Sequence, residues 1–308
     1  MRHAAGPIAM IAFLALQVGA AAADPTLESR LKPLIDAHKG QVAVAVKHLG
    51  TGETYLFNAD EPMTTASLIK FPVMIEAYRQ AEAKKVDLGS TITLKKEDKV
   101  PGSGILTGHF SDGATFPLRD AIRMMIAFSD NTATNLVVDA IGLPSTAESM
   151  EKLGCPNTKL HSKVYRRDTS IAPERSKQFG LGSTTANEML KLCEALHKKE
   201  LVSPAASEAM LAHMRACDDG DKFPKLLPPG TKVAFKTGSV DEARTAAGII
   251  DDRVAGPFAL CVLTMGNGDR RWVPDNAGNR LCAEVAREAF DHFRARAVAA
   301  AETKPSKP

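Results

Sequence analysis

The sequence predicts an α+β fold. An antiparallel sheet is drawn from both ends of the chain and flanked by helices, and an all-helical lobe is inserted between its halves. Three observations predict it. Residues 41–48 alternate small apolar and polar side chains, and 53–57 follow the turn Gly50-Thr51-Gly52, the pattern of a β-hairpin. Residues 232–237, 245–250 and 258–265 are strand-like, divided by turn residues, and precede a closing helix. Between these two groups, helical periodicity dominates. Strands at the two chain ends with helices between them can bury their apolar faces by sharing one sheet.

Taken in order, the first 23 residues read as a signal peptide. Arg2 and His3 give a basic start, 8–18 an apolar run and 20–23 a small-residue cleavage site, with cleavage near Ala23. The run is too short to span a bilayer comfortably, and no cysteine stands near the cleavage point. An exported protein, periplasmic or secreted and without a stable membrane anchor, is expected. One domain is expected over 24–300, with an α/β part at roughly 24–62 and 212–300 and a helical part at roughly 63–211. Residues 24–37 are helical by spacing (Leu27, Leu31, Leu34, Ile35), and Gly40 ends that helix. A long apolar helix is expected over 63–83, with Pro72 in its early turns. Residues 87–116 are turn-rich. Helices follow at 118–128 and 132–141. The stretch 154–182 has almost no periodicity, and an unstructured stretch of that length inside a compact domain is usually functional or disordered. Further helices are expected at 184–199, capped by Ser183 or Thr184, at 203–216 and at 277–300. Residues 301–308 are expected to be a disordered tail.

Net charge is +3, from 39 Lys and Arg against 36 Asp and Glu, and no basic run carries interleaved aromatics, so nucleic acid is excluded as a partner. Eight histidines are scattered without metal-ligand spacing, and neither a metal nor an organic cofactor is expected. Five cysteines (Cys155, Cys193, Cys217, Cys261, Cys282) leave at least one free thiol. One disulfide is possible, its pairing open, and Cys193 and Cys261 read as core. A monomer is expected.

The chemistry centres on Thr65-Ala66-Ser67-Leu68-Ile69-Lys70-Phe71-Pro72. Three residues apart on a helix, Ser67 and Lys70 share a face, so their hydroxyl and amine can come within hydrogen-bond reach. A serine needs a neighbouring base to become a nucleophile. A lysine is that base only if burial or a second cation keeps it neutral. Ser-x-x-Lys also occurs at Ser29/Lys32 and Ser149/Lys152, in polar helices expected to be exposed; the apolar flank of Ser67 would bury it. Two further motifs stand at useful places. Ser129-Asp130-Asn131 offers a hydroxyl and an amide at a helix end. Lys236-Thr237-Gly238 ends a strand and supplies the second cation, with a glycine that admits close approach.

With these residues in this order the sequence resembles the serine β-lactamase and penicillin-binding protein superfamily, most closely the class A β-lactamases. The stretch Gly102-Ser103-Gly104-Ile105-Leu106 and the helix beginning Ser183-Thr184-Thr185-Ala186 add to the resemblance, which covers nearly all the mature chain. It implies a β-lactamase/transpeptidase-like fold and an acyl-enzyme on Ser67, with Lys70 as activating base and Ser129 passing a proton to the leaving nitrogen. It implies that Asn131 binds the substrate's side-chain amide and that Lys236, Thr237, Gly238 and Ser239 line the substrate. The backbone N–H groups of Ser67 and Ser239 would form the oxyanion hole. Arg244 would reinforce carboxylate binding. The implied ligand is a small β-lactam or a peptidoglycan-like peptide.

One departure matters. The Glu-x-x-x-Asn by which class A enzymes activate the deacylating water is absent from 163–175. Asp168 is the best-placed substitute and Glu174 the runner-up; the alternative is that Asp168 only pairs with Arg166, Arg167 or Arg175. Without a working carboxylate the acyl-enzyme hydrolyses slowly, and a D-Ala-D-Ala peptidase, an esterase or a non-hydrolytic penicillin-binding protein is the alternative reading. Asp130 is read as structural, Ser103 as a turn residue or part of the site mouth, and Tyr78 and Trp272 as packing residues.

Overall fold

A computed structural model describes residues 26–303; the signal peptide read at 1–23 and most of the expected tail, 304–308, lie outside them. In chain order the elements are α1 (Leu27–Ala37), β1 (Gln41–His48), β2 (Thr54–Phe57), β3 (Met63–Thr64), a 3₁₀ turn (Ala66–Ile69), α2 (Lys70–Glu82), β4 (Thr91–Thr93), α3 (Leu106–His109) and β5 (Thr115–Pro117). Next come α4 (Leu118–Ala127), α5 (Asn131–Ile141), α6 (Ser145–Lys152), β6 (Lys159–Leu160), α7 (Pro173–Phe179), β7 (Gly182–Thr184), α8 (Ala186–His197) and α9 (Pro204–Arg215). β8 (Lys232–Val240), β9 (Ala243–Asp252), β10 (Gly256–Met265) and α10 (Ala277–Glu302) close the chain.

The main sheet is antiparallel in the order β2-β1-β10-β9-β8, so the two chain ends meet at the β1–β10 pair, where Val44 faces Val262. Side chains alternate across a strand, and here both faces are covered. Val42, Val44, Val46, Phe258, Leu260 and Val262 point into a core with Leu31 of α1 and Val285, Phe290 and Phe293 of α10. Ala43, Ala45, Ala259, Cys261 and Leu263 point the other way, into a larger core with Met189, Cys193 and Leu196 of α8 and Phe71 and Met74 of α2. Small residues on this second face let α8 lie close against the sheet. The α+β architecture and the sheet built from both chain ends are as the sequence predicts.

Several expected elements are redrawn. The helix read over 63–83 is three pieces: β3 pairs with β7, a 3₁₀ turn carries Ser67, and α2 begins only at Lys70. Ala66, at φ +45°, breaks what would have been a continuous helix. The first helix starts at Leu27, where Thr26 Oγ1 accepts from Ser29 N at 3.2 Å. α8 is capped by Thr185, not Ser183 or Thr184, because those two residues are taken up by β7. The 154–182 stretch holds β6 and α7, a helix that starts at Pro173, where proline's missing N–H costs nothing. Ser149 is buried rather than exposed. The last helix runs on through Glu302, so 301–302 are helical, not part of a disordered tail. All five cysteines are free thiols.

Edge strand β8 packs directly on the Ser67 turn. A Cβ at Gly238 would stand 2.4 Å from Thr65 O and 2.8 Å from Leu68 N, so only glycine lets strand and turn touch. Thr245 Oγ1 donates to the same Thr65 carbonyl at 2.8 Å.

Candidate active site

An open pocket of about 540 Å³ lies between β8, the Ser67 turn and the α4–α5 junction. Ser67, Ser103, Ser129, Lys236, Thr237, Gly238, Ser239 and Arg244 all line it. Ser67 stands in a turn whose other residues are buried, so the turn is anchored and only the serine side chain reaches the cavity. One turn on, Lys70 is fully buried.

Lys70 does not meet Ser67 as the spacing suggested. Its Nζ donates to Ser129 O at 2.6 Å, Asn131 Oδ1 at 2.8 Å and Ser129 Oγ at 3.3 Å. The acceptors at the α4–α5 junction outcompete a single hydroxyl. Lys236 Nζ reaches the same Ser129 Oγ at 3.1 Å and donates to Thr237 O at 2.8 Å. One hydroxyl therefore bridges two buried lysine side chains, and among the described residues no carboxylate is bonded to either. Burial, and next the like charge of Lys236, push the Lys70 pKa well below the ordinary lysine range. Burial also lowers Lys236. The second cation that the Ser67–Lys70 pair demanded is in place.

Local backbone sets this geometry. Ser129 takes φ +52°, which ends α4 and aims its side chain into the pocket. Asp130 is structural: it caps α5 by accepting from Ala133 N at 2.8 Å, and its other oxygen accepts from Ile105 N at 2.7 Å and Leu106 N at 2.8 Å. Gly104 makes room for it, since a Cβ there would lie 2.3 Å from the carboxylate. Asn131 is buried, and its Nδ2 donates to Pro101 O at 3.0 Å.

The remaining expected residues divide. Asp168 is not brought to the pocket. Its exposed carboxylate accepts from Arg166 Nη2 at 3.1 Å and Nε at 3.2 Å, and that guanidinium holds its carboxyl below the usual range. Glu174 likewise pairs with Lys177 in solvent. None of the loop residues 163–175 is among those lining the pocket in the described part of the chain. Arg244 lines the cavity, but its guanidinium is committed to the carbonyls of Val240, Ala243 and Arg271 and lies 5.0 Å from the Trp272 ring centroid. It is not free to meet a substrate carboxylate in the way the resemblance implied. Trp272 is no packing residue: it is 65% exposed and lines the pocket. Tyr78 is buried, with its hydroxyl 2.8 Å from His213 Nε2.

Sequence reasoning missed Asp219 and Lys222. Lys222 is buried, pairs with Asp219 at 2.7 Å and donates to Ser239 Oγ at 3.2 Å, in the pocket wall. The run Asp218-Asp219-Gly220-Asp221-Lys222 reads as a polar turn, and only its placement against β8 gives it a role. Asn135 was also missed. Its amide grips both backbone groups of Val164, accepting from N at 2.8 Å and donating to O at 3.1 Å, which fastens the loop to α5. Cys217 lines the pocket too, but burial raises its thiol pKa more than nearby Lys236 lowers it, so it remains a thiol.

Comparison with known proteins points to one family. A family model described as the beta-lactamase enzyme family matches residues 26–293. The extended-spectrum beta-lactamase PER-1 of Pseudomonas aeruginosa is 21% identical over 296 residues, covering 93% of this chain and 92% of its own. A beta-lactamase of Bacillus amyloliquefaciens is 27% identical over 281 residues, covering 86% and 82%. Among solved structures, the beta-lactamase from Sphaerobacter thermophilus DSM 20745 superposes with a TM-score of 0.77 at 28% identity, over 86% of this chain and 97% of that one. PBP-A shares the fold at a TM-score of 0.75 and 21% identity, over 87% and 96%.

Proposed function

The chain belongs to the beta-lactamase enzyme family and is a serine β-lactamase-like hydrolase, and from that premise we propose that it opens β-lactam rings through an acyl-enzyme on Ser67. The observation that carries this reading is Ser129 Oγ shared by Lys70 and Lys236 beside Ser67. Ser67 Oγ attacks the lactam carbonyl carbon, and its proton passes to the neutral amine of Lys70, which must first turn from its acceptors at the α4–α5 junction toward Ser67. The charge that grows on the carbonyl oxygen is met by the backbone N–H groups of Ser67 and Ser239, worth a few kcal/mol per donor (about 3). The lactam C–N bond breaks as Ser129 hands its proton to the departing nitrogen and takes from Lys70 the one that came from Ser67, so that both end as they began. Lys236 and Thr237 hold the substrate carboxylate, and Lys222 steadies the neighbouring Ser239 by donating to its hydroxyl. The protein is exported through the signal peptide read at 1–23.

A second reading is favoured by one observation, the placement of Asp168 and Glu174 in solvent. With no loop carboxylate at the pocket, water attack on the acyl-enzyme is slow, and the same acylation machinery then serves a D-Ala-D-Ala peptidase or a penicillin-binding protein. Intact mass of the chain with excess penicillin over time, alongside Ser67→Ala, separates the two. A transient adduct with loss of substrate, absent in Ser67→Ala, supports hydrolysis. A persistent adduct on Ser67 supports the second reading. Hydrolysis that survives Ser67→Ala, or no adduct and no hydrolysis in the parent, sinks both.

A further inference from the structure

Arg244 is the largest fully buried side chain among the described residues, at 1% exposed. A buried guanidinium is ordinarily matched by a carboxylate. Here its hydrogen-bond partners are backbone. Nη1 donates to the carbonyls of Val240 and Ala243, and Nη2 donates to that of Arg271 at 2.9 Å. The first two flank the β8–β9 turn, and the third belongs to residues 266–276, the loop between β10 and α10. The planar fork of arginine serves carbonyls of both segments at once. Its neighbours are arranged around this strap. Thr264 Oγ1 accepts from Arg244 N at 2.9 Å and donates to Arg244 O at 2.8 Å, which fixes the backbone from which the side chain springs. Asn276 Nδ2 donates to the same Arg271 carbonyl at 2.9 Å. A Cβ at Gly278 would lie 2.8 Å from Arg244 Cβ, so glycine at the start of α10 leaves room for the side chain.

Trp272 follows Arg271 directly, and it is what the strap holds. The indole Nε1 donates to Asp241 Oδ1 in the β8–β9 turn at 2.8 Å, and the Arg244 guanidinium lies over the ring at 5.0 Å from its centroid, a cation–π distance. A single exposed apolar side chain means little by itself. This one is fastened at its N–H and on one ring face, and it lines the pocket beside Ser239 and Arg244. We propose that Arg244 is a positioning residue: it ties the β10–α10 loop to the β8–β9 turn and so fixes the Trp272 indole as a wall over the end of β8, against which the carboxylate-bearing ring of the substrate is laid. Arg244 then acts on the substrate through Trp272 and not as a partner of the carboxylate, which is left to Lys236 and Thr237. A ring held in place in advance costs the substrate less ordering on binding than a mobile one.

This inference rests on acylation of Ser67, but one of its two readouts does not depend on it. The chain has one tryptophan, so time-resolved fluorescence anisotropy of the ligand-free protein reports Trp272 alone, on the nanosecond scale. Arg244→Ala is expected to widen the fast motion of the indole, and so is Asp241→Ala, which leaves the buried strap untouched. The second readout is adduct formation with benzylpenicillin, timed by intact mass over a range of concentrations. Trp272→Ala and Arg244→Ala are each expected to raise the half-saturating concentration about fivefold or more, and to lower the saturating rate much less. Arg244→Ala combined with Trp272→Ala is expected to match the worse single variant within about twofold, because losses that run through one shared group do not add. If Arg244→Ala does not fold, Asp241→Ala with Trp272→Ala runs the same cycle. The proposal is overturned by an indole as rigid in the variants as in the parent, or by an unchanged half-saturating concentration in Trp272→Ala. Losses that multiply in the double variant, as direct pairing of Arg244 with the carboxylate requires, overturn it as well. No adduct in the parent would remove the acylation reading, and the anisotropy alone would then decide whether Arg244 holds Trp272.

Discussion

At the scale of single residues the proposed acylation turns on Lys70, because burial favours its neutral form and Lys236 adds to the bias. Acylation needs that neutral amine, so its rate rises with pH as Lys70 loses its proton, and a lowered pKa keeps the base competent far below the ordinary lysine range. Replacing Lys236 by methionine removes a like charge, which favours protonated Lys70. The acidic limb of the acylation rate, measured at saturating penicillin by intact mass, is therefore expected to move to higher pH, in addition to weaker substrate binding. A limb that stays in place would mean that Lys236 does not tune Lys70. Ser129 is the hinge of this argument: without its oxygen between the two amines there is no route for a proton to the leaving nitrogen.

Among the elements, the 154–182 loop separates the two proposed readings, since it holds the carboxylates expected to serve deacylation. It is pinned rather than loose. Asn135 holds Val164, Ile171 N donates to His161 O at 3.0 Å, and Arg175 Nη2 donates to Ser183 Oγ at 2.8 Å. Its backbone is fastened to α5 and β7 while Asp168 and Glu174 pair with basic neighbours in solvent. Asn135→Ala leaves two buried backbone groups of Val164 unpaired, a cost of about 1–3 kcal/mol for each. Thermal unfolding should report that loss, and hydrogen exchange should show faster exchange confined to the loop. Unchanged exchange there would show that the rest of the loop's bonds suffice. The Ser67 turn makes the complementary point. Because it is a 3₁₀ turn that begins at the left-handed Ala66, the serine and the lysine belong to different elements, with Lys70 the first residue of α2.

For the whole molecule, the site exists because edge strand β8 is pressed against the Ser67 turn, with the core under both faces of the sheet holding the strand in place. Gly238 is the contact point. Gly238→Ala would put a methyl group 2.4 Å from Thr65 O, and strand and turn must separate. A displacement near 1 Å at reacting groups costs about a hundredfold in rate, and overpacking costs about 1–3 kcal/mol. Both the acylation rate and the melting temperature of Gly238→Ala are expected to fall. A variant that melts lower but acylates normally would show that the pocket tolerates the separation.

The sheet, most of the helices and the three motifs were legible in the sequence because each is local. Alternating valines in β1 and the apolar spacing of α1 leave their mark within a few residues. Short pieces were not legible: β3, β6 and β7 are two or three residues long and exist only because partners pair with them. By itself the sequence determined which groups are available, a serine, two lysines and a hydroxyl between them, and that the lysines would have to lie close together. Only the tertiary structure decided which partners each group meets. Lys70 turned to the α4–α5 junction instead of to Ser67, Arg244 was consumed by carbonyls, Lys222 entered the pocket wall and Asp168 was left to Arg166 in solvent. The physical reason is that hydrogen bonds and charge pairs act over a few ångströms, and which groups come that close depends on how elements far apart in the chain pack together.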